Sequence, residues 1–268
     1  MPTEDLSFPS HLSPERRELL TSVAQRVDRE HGDNLVGLVL TGSAGRGLAT
    51  ERSDVDLFVV LSTVPDGYVT SKSPAIDEVP MALQELDEVP VFGTDYWWYR
   101  WSFAWAPMLL DRTGGALPDA VRRQALVSPE EADSILIEHD RLDGWLNYAY
   151  RALKSDRDGR DLERRLDATE SVPWLLDTVF SLAGRVRPYH KYLPWELREH
   201  PIEGWPAEVL LPLLTRTLDG DPSAIRETFA LVRAQCEAFD AARGHSRTVD
   251  MIEGWGVELS YFELHKSS

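Results

Sequence analysis

The sequence predicts an α/β unit followed by an all-helical unit, and three observations carry that expectation. Two short, β-branched runs, "NLVGLVLTG" and "DVDLFVVLS", sit in the first half, bounded by Gly, Asn and Asp as buried strands are. A capped amphipathic segment precedes them. From about Pro129 onward the texture changes to long stretches with helical spacing of apolar residues.

Taken in order, "SPERRELLTSVAQRVDREHG" has Ser13 at the N-cap, Pro14 at the first helical position and Gly32 as a stop, which predicts a helix. The two strand runs follow. Further strands are expected within Pro74–Leu83, "PAIDEVPMAL", and Trp105–Gly115, "WAPMLLDRTGG". Between them, "DYWWYRWSFAW" spaces Trp97, Trp101 and Trp105 four apart, which would align them on one face of a helix, as an apolar docking face or a stacking wall. The helical half comprises "PEEADSILIEHDRLDGWLNYAYRALKS", "LERRLDATESVPWLLDTVFSLAGR", "WPAEVLLPLLTRTL" and "PSAIRETFALVRAQCEAFDAARG". A boundary is expected between residues 127 and 128, with no internal repeat and no low-complexity segment.

Composition limits the partners. Among 268 residues, 28 basic against 45 acidic ones leave 28 − 45 = −17, which disfavours a nucleic-acid-binding protein because that affinity comes from Lys and Arg neutralising phosphates. A small cationic molecule would be attracted instead. The single cysteine, Cys236, excludes an internal disulfide and a cysteine zinc site, and its context reads as a helix interior. No apolar run reaches membrane-spanning length and the acidic N-terminus lacks a secretory pattern, so a cytoplasmic protein is expected.

The chemistry is concentrated in "LVLTGSAGRGLATERSDVDLFVVL", Leu38–Leu61. In an extended strand, residues two apart face one side, so Asp54 and Asp56 present their carboxylates together while Val55 turns inward. Like charges that close repel unless a cation joins them, and hard oxygen donors suit Mg²⁺. Upstream, Gly42 lets backbone approach a ligand, and Ser43 opens a helical turn whose N–H groups favour phosphate oxygens. Arg46 is placed to grip a phosphate, or else to pair with Glu51 or Asp54.

These residues, Gly-Ser, ten positions, then Asp-hydrophobic-Asp, resemble the signature of the nucleotidyltransferase superfamily related to DNA polymerase beta. The two-part layout is similar to that of the aminoglycoside and lincosamide nucleotidyltransferases and their bacterial relatives. The resemblance implies a mixed-sheet catalytic domain over residues 1–127 and a helical substrate-binding lid over 128–268. It also implies transfer of a nucleoside monophosphate, AMP from ATP foremost, to a hydroxyl of a small-molecule acceptor such as an aminoglycoside, and thus antibiotic resistance. Gly42 and Ser43 would hold the triphosphate and Asp54 and Asp56 the Mg²⁺ ions. A third carboxylate on a later strand would be Asp77, with Glu78 as its alternate; Asp111 reads instead as the cap of a turn. By the same resemblance, Lys154 and Lys191 of the helical half would contact the triphosphate.

An antitoxin-like transferase modifying a protein partner is the alternative. Arg185 and His190 also fit the Arg-to-His spacing of a helical ribonuclease, although Pro188 between them interrupts the helix that such a motif occupies.

Overall fold

The computed structural model describes residues 6–263 and divides the chain into two compact units, Met1–Leu126 and Val127–Ser268. In the first, helix α1 (Pro14–His31) starts where its sequence signals it: Ser13 Oγ accepts from Arg16 N–H, and Gly32 ends the helix with a positive φ. Strand β1 (Leu35–Thr41) runs into a helical turn, α2 (Gly42–Gly45), and β2 (Val55–Leu61) returns antiparallel to it. A two-residue strand, β3 (Ser71–Lys72), precedes β4 (Ile76–Ala82), which lies parallel to β2. Helix α3 (Leu83–Asp87), strand β5 (Met108–Asp111) and helix α4 (Ala116–Ala125) complete the unit. The sheet order is β3-β4-β2-β1-β5, with β4 the parallel neighbour of β2 and the other pairings antiparallel, so the expected mixed sheet is present.

The apolar runs of β1 and β2 are continuous because both faces are covered. Leu38, Leu40, Leu57 and Val59 pack with Leu20, Val23 and Val27 of α1. On the opposite face Val39, Phe58 and Val60 pack with Leu86, Phe103, Leu117 and Val121. Each such fully buried side chain contributes roughly 1.5–3 kcal/mol, so the strand order is fixed by burial on two sides.

The aromatic stretch departs from expectation. It forms a 3₁₀ segment, Trp97–Phe103, in which Trp97 and Trp101 are buried, whereas Trp105 lies beyond its end and half-exposed. Three residues per turn do not keep a four-residue spacing on one face. Asp111 behaves as a turn cap, accepting from Thr113 N–H at 2.8 Å and Gly115 N–H at 3.2 Å.

The second unit is built of helices, with an isolated β-bridge between Ile202 and Trp205. The first of its long segments is broken: α5 (Pro129–Asp133) continues through a π-helical turn, Ser134–Glu138, before α6 (Arg141–Arg157) begins after Asp140. Helices α7 (Asp161–Leu182), α8 (Leu193–Glu199), α9 (Ala207–Leu218), α10 (Pro222–Arg243) and α11 (Arg247–Glu253) follow. Their core gathers Trp145, Leu146, Leu175, Phe180, Trp205 and Phe229. Cys236 is buried in α10, and burial pushes its thiol up to about 12, so it is an inert core group. No helix among the described residues is long and apolar enough to cross a membrane.

Candidate active site

The loop between β1 and β2 and the start of β4 build the site. Antiparallel pairing sets Thr41 opposite Asp56, and parallel pairing sets Asp56 in register with Asp77. Register partners on neighbouring strands point to the same face, so Asp56 and Asp77 stand side by side. Asp54 immediately precedes β2; Val55 is buried while Asp54 and Asp56 are only partly so, the alternation expected of a strand mouth.

Gly42 is what allows the turn to pass so close. Its φ is +61°, and a Cβ there would overlap the Asp56 carboxylate. Any side chain would therefore both strain the backbone and displace Asp56. From the other side the turn is braced by His11, whose Nε2 is 2.9 Å from Ala44 O.

Two of the expected site residues are differently employed. Glu78 falls on the opposite face of β4 from Asp77, because adjacent strand residues alternate, and there Arg26 of α1 donates to it. It is an anchor for α1 and not part of the carboxylate group at the strand mouth. Arg46 is buried, at 6% exposure, with its guanidinium 4.1 Å from the Trp101 ring centroid. It donates to Gly42 O at 2.9 Å, Trp101 O and Ser102 O at 3.1 Å, and Ala104 O at 2.8 Å. That geometry makes Arg46 a tie between the Gly-Ser turn and the aromatic segment, a role that neither sequence reading of it foresaw.

Lys154 and Lys191 belong to the second unit, on different elements: Lys154 on α6 with Nζ 5.1 Å from the Tyr150 ring centroid, Lys191 in the turn His190–Tyr192 with Nζ 4.7 Å from that of Tyr192. Arg185, half of the ribonuclease-like spacing, donates to the buried Glu196 and, at 2.7 Å, to His200 O, a structural tie. Sequence reasoning missed Lys72. On β3 it pairs in register with Asp77, with Nζ 3.8 Å from Oδ2. The available signal was scarcity, since the chain has four lysines.

Three carboxylates at one strand mouth supply the hard oxygen donors that Mg²⁺ prefers, and the ammonium of Lys72 at Asp77 shows a cation held there. The donor type suits the metal, while among the described residues no group of three acidic, His or Cys side chains is placed to hold one.

The first unit is similar to a known domain family. Residues 17–101, from α1 to the aromatic segment, match the family model described as nucleotidyltransferase domain. Over that stretch, about a third of its length, the chain is similar to the nucleotidyltransferase domain. A candidate protein adenylyltransferase of Methanocaldococcus jannaschii is 40% identical over 47 residues, which is 18% of this chain and 32% of that protein, so the match spans about a third of the relative's length. A nucleotidyltransferase-like protein from Exiguobacterium sibiricum 255-15 aligns over 92% of this chain and 89% of its own, at 11% identity and a TM-score of 0.35.

Proposed function

We propose that the protein transfers AMP from ATP to an acceptor hydroxyl, and that Asp54, Asp56 and Asp77 hold Mg²⁺ for the reaction. The observation that carries this reading is the in-register pairing of Asp56 with Asp77 beside the side-chain-free Gly42. Gly42 and Ser43 seat the triphosphate. Asp77 accepts the proton of the acceptor hydroxyl as its oxygen bonds to the α-phosphorus and the bond to the bridging oxygen breaks, releasing pyrophosphate. When bound, Mg²⁺ offsets the negative charge on the α-phosphate and on the leaving group. The supply of ATP places the reaction in the cytoplasm.

For the acceptor, the primary reading is a small hydroxylated molecule, an aminoglycoside being the first to try because a net charge of −17 attracts polycations. A protein hydroxyl is the second reading, favoured by the name of the Methanocaldococcus relative. The test is incubation of the purified protein with α-labelled ATP and Mg²⁺ against aminoglycosides, lincosamides and whole-cell lysate, with mass spectrometry of the labelled product. Label on an antibiotic supports the first reading and label on protein alone the second. Either label should vanish in Asp54→Asn/Asp56→Asn, folded by its unchanged melting temperature. Absence of any adduct from every nucleoside triphosphate tried would sink the transferase reading.

A further inference from the structure

The aromatic stretch splits at Ala104. On one side Trp97 and Trp101 are core residues. On the other, Trp105 is 47% exposed and adopts φ +60°. A bulky side chain in the left-handed region is a true outlier, kept only where the surrounding structure fixes it, and such outliers cluster at ligand-binding positions.

The anchors that fix it lead to the Gly-Ser turn from both directions. Before Trp105, Ala104 O accepts from Arg46, which also donates to Gly42 O. After it, Pro107 O accepts from the N–H of Leu40, two residues ahead of Gly42, at 2.9 Å. Trp105 thus rides on a short loop whose two ends are pinned to the two flanks of the turn. The same segment covers the sheet face that carries Asp56: the Phe103 ring centroid is 4.7 Å, and that of Tyr99 6.4 Å, from Phe58, two residues along β2 on the same side.

We propose that Trp105 is the stacking platform for the base of the donor nucleotide, a role that rests on the transferase reading of this site. An indole 47% exposed beside the triphosphate turn is a surface on which the one aromatic group of a nucleoside triphosphate would stack, with the ribose spanning from that base to the phosphates. Stacking of a base on an aromatic side chain is worth about a tenfold or larger change in affinity when the ring is removed.

The experiment compares Mg²⁺-dependent binding of ATP and of inorganic tripolyphosphate, by calorimetry, to wild type, Trp105→Gly and Trp105→Tyr. Glycine suits the left-handed backbone, so Trp105→Gly keeps the loop; its melting temperature should equal or exceed that of wild type. The expected result is ATP affinity lowered about tenfold in Trp105→Gly and largely restored in Trp105→Tyr, with tripolyphosphate affinity unchanged in both. Parallel loss of ATP and tripolyphosphate affinity would overturn the proposal, showing that Trp105 only shapes the turn. Unchanged ATP affinity would overturn it too, including the case in which acceptor KM alone rises and the indole serves the acceptor. A wild type that binds neither ATP nor tripolyphosphate would instead bring down the transferase reading, and this role with it.

Discussion

Asp77 in the first unit stands partly exposed at a strand mouth and faces the ammonium of Lys72, a side chain 75% exposed. Asp177 in the second unit is 2% exposed, in the C-terminal part of α7, with Arg187 Nε at 3.3 Å and Arg141 Nη1 at 3.7 Å. Asp133 is likewise buried and held by Arg243 through two bonds of 3.1 and 2.7 Å, with Arg247 at 3.2 Å. Burial takes solvation away from a carboxylate, and only close cations restore it, so acids of the second kind are committed to holding helices together. Acids of the first kind stand open to solvent and to whatever approaches the strand mouth. Net charge therefore misleads as a guide to where a cation would settle. In the helical half, Asp143 likewise accepts from Trp255 Nε1 at 2.9 Å, and Asp167 pairs with Arg151 at 3.0 Å.

The largest expected effect tests the open carboxylates. Gly42→Ala should lower nucleotidyl transfer about a hundredfold, because its Cβ would push the Asp56 carboxylate aside and ångström-scale misplacement costs that much. Retained activity, measured by label transfer, would show that Asp56 need not hold its place.

Next comes the committed kind. Arg187→Ala removes the cation nearest Asp177 and should destabilise the protein by about 3 kcal/mol in urea unfolding. An unchanged midpoint would mean that burial of Asp177 does not depend on Arg187. Its protonation offers a subtler test. Burial, opposed by Arg187 and Arg141, pushes the Asp177 carboxyl up to about 6. Between about pH 4 and pH 6 the folded chain keeps a proton that the unfolded chain has released, so this group's stabilisation is full at the acid end and lost as pH rises. Wild-type stability relative to Asp177→Asn should fall by about 3 kcal/mol across that window; parallel pH profiles would contradict the raised value.

The smallest effect belongs to Lys72→Met. An exposed pair contributes little, so stability should change by less than about 0.5 kcal/mol, while Mg²⁺ binding by calorimetry should tighten a few-fold once no ammonium competes at Asp77. Weaker Mg²⁺ binding in the variant would give Lys72 a supporting role instead.

Much of this was legible in the chain. The capped α1, the two central strands and the change to helices are local patterns of caps and periodicity, which sequence records directly. So was the grouping of Gly42, Asp54 and Asp56, since all lie within one strand-turn-strand stretch. The choice between Asp77 and Glu78 was not, because both are acids in one apolar run and only the pairing of β4 with β2 decides which shares a face with Asp56. Strand β3 escaped notice because its two exposed residues, Ser71 and Lys72, carry no apolar alternation. Arg46 read as a phosphate ligand or a partner of Glu51 or Asp54, because three of the four carbonyls it donates to lie far along the sequence.

That last separation has a consequence for how the protein comes into being. The carbonyls of Trp101, Ser102 and Ala104 that hold the Arg46 guanidinium lie 55, 56 and 58 residues downstream of it. During synthesis the hairpin of β1 and β2 can form as soon as Leu61 has emerged, yet the turn at its tip cannot take its final shape until the chain has been made through Ala104. A fragment ending at residue 101, where the family match stops, would lack two of those three carbonyls. The turn is short in sequence, but its completion is a late, long-range event, the kind of closure whose entropic cost the chain meets only after its local elements are in place.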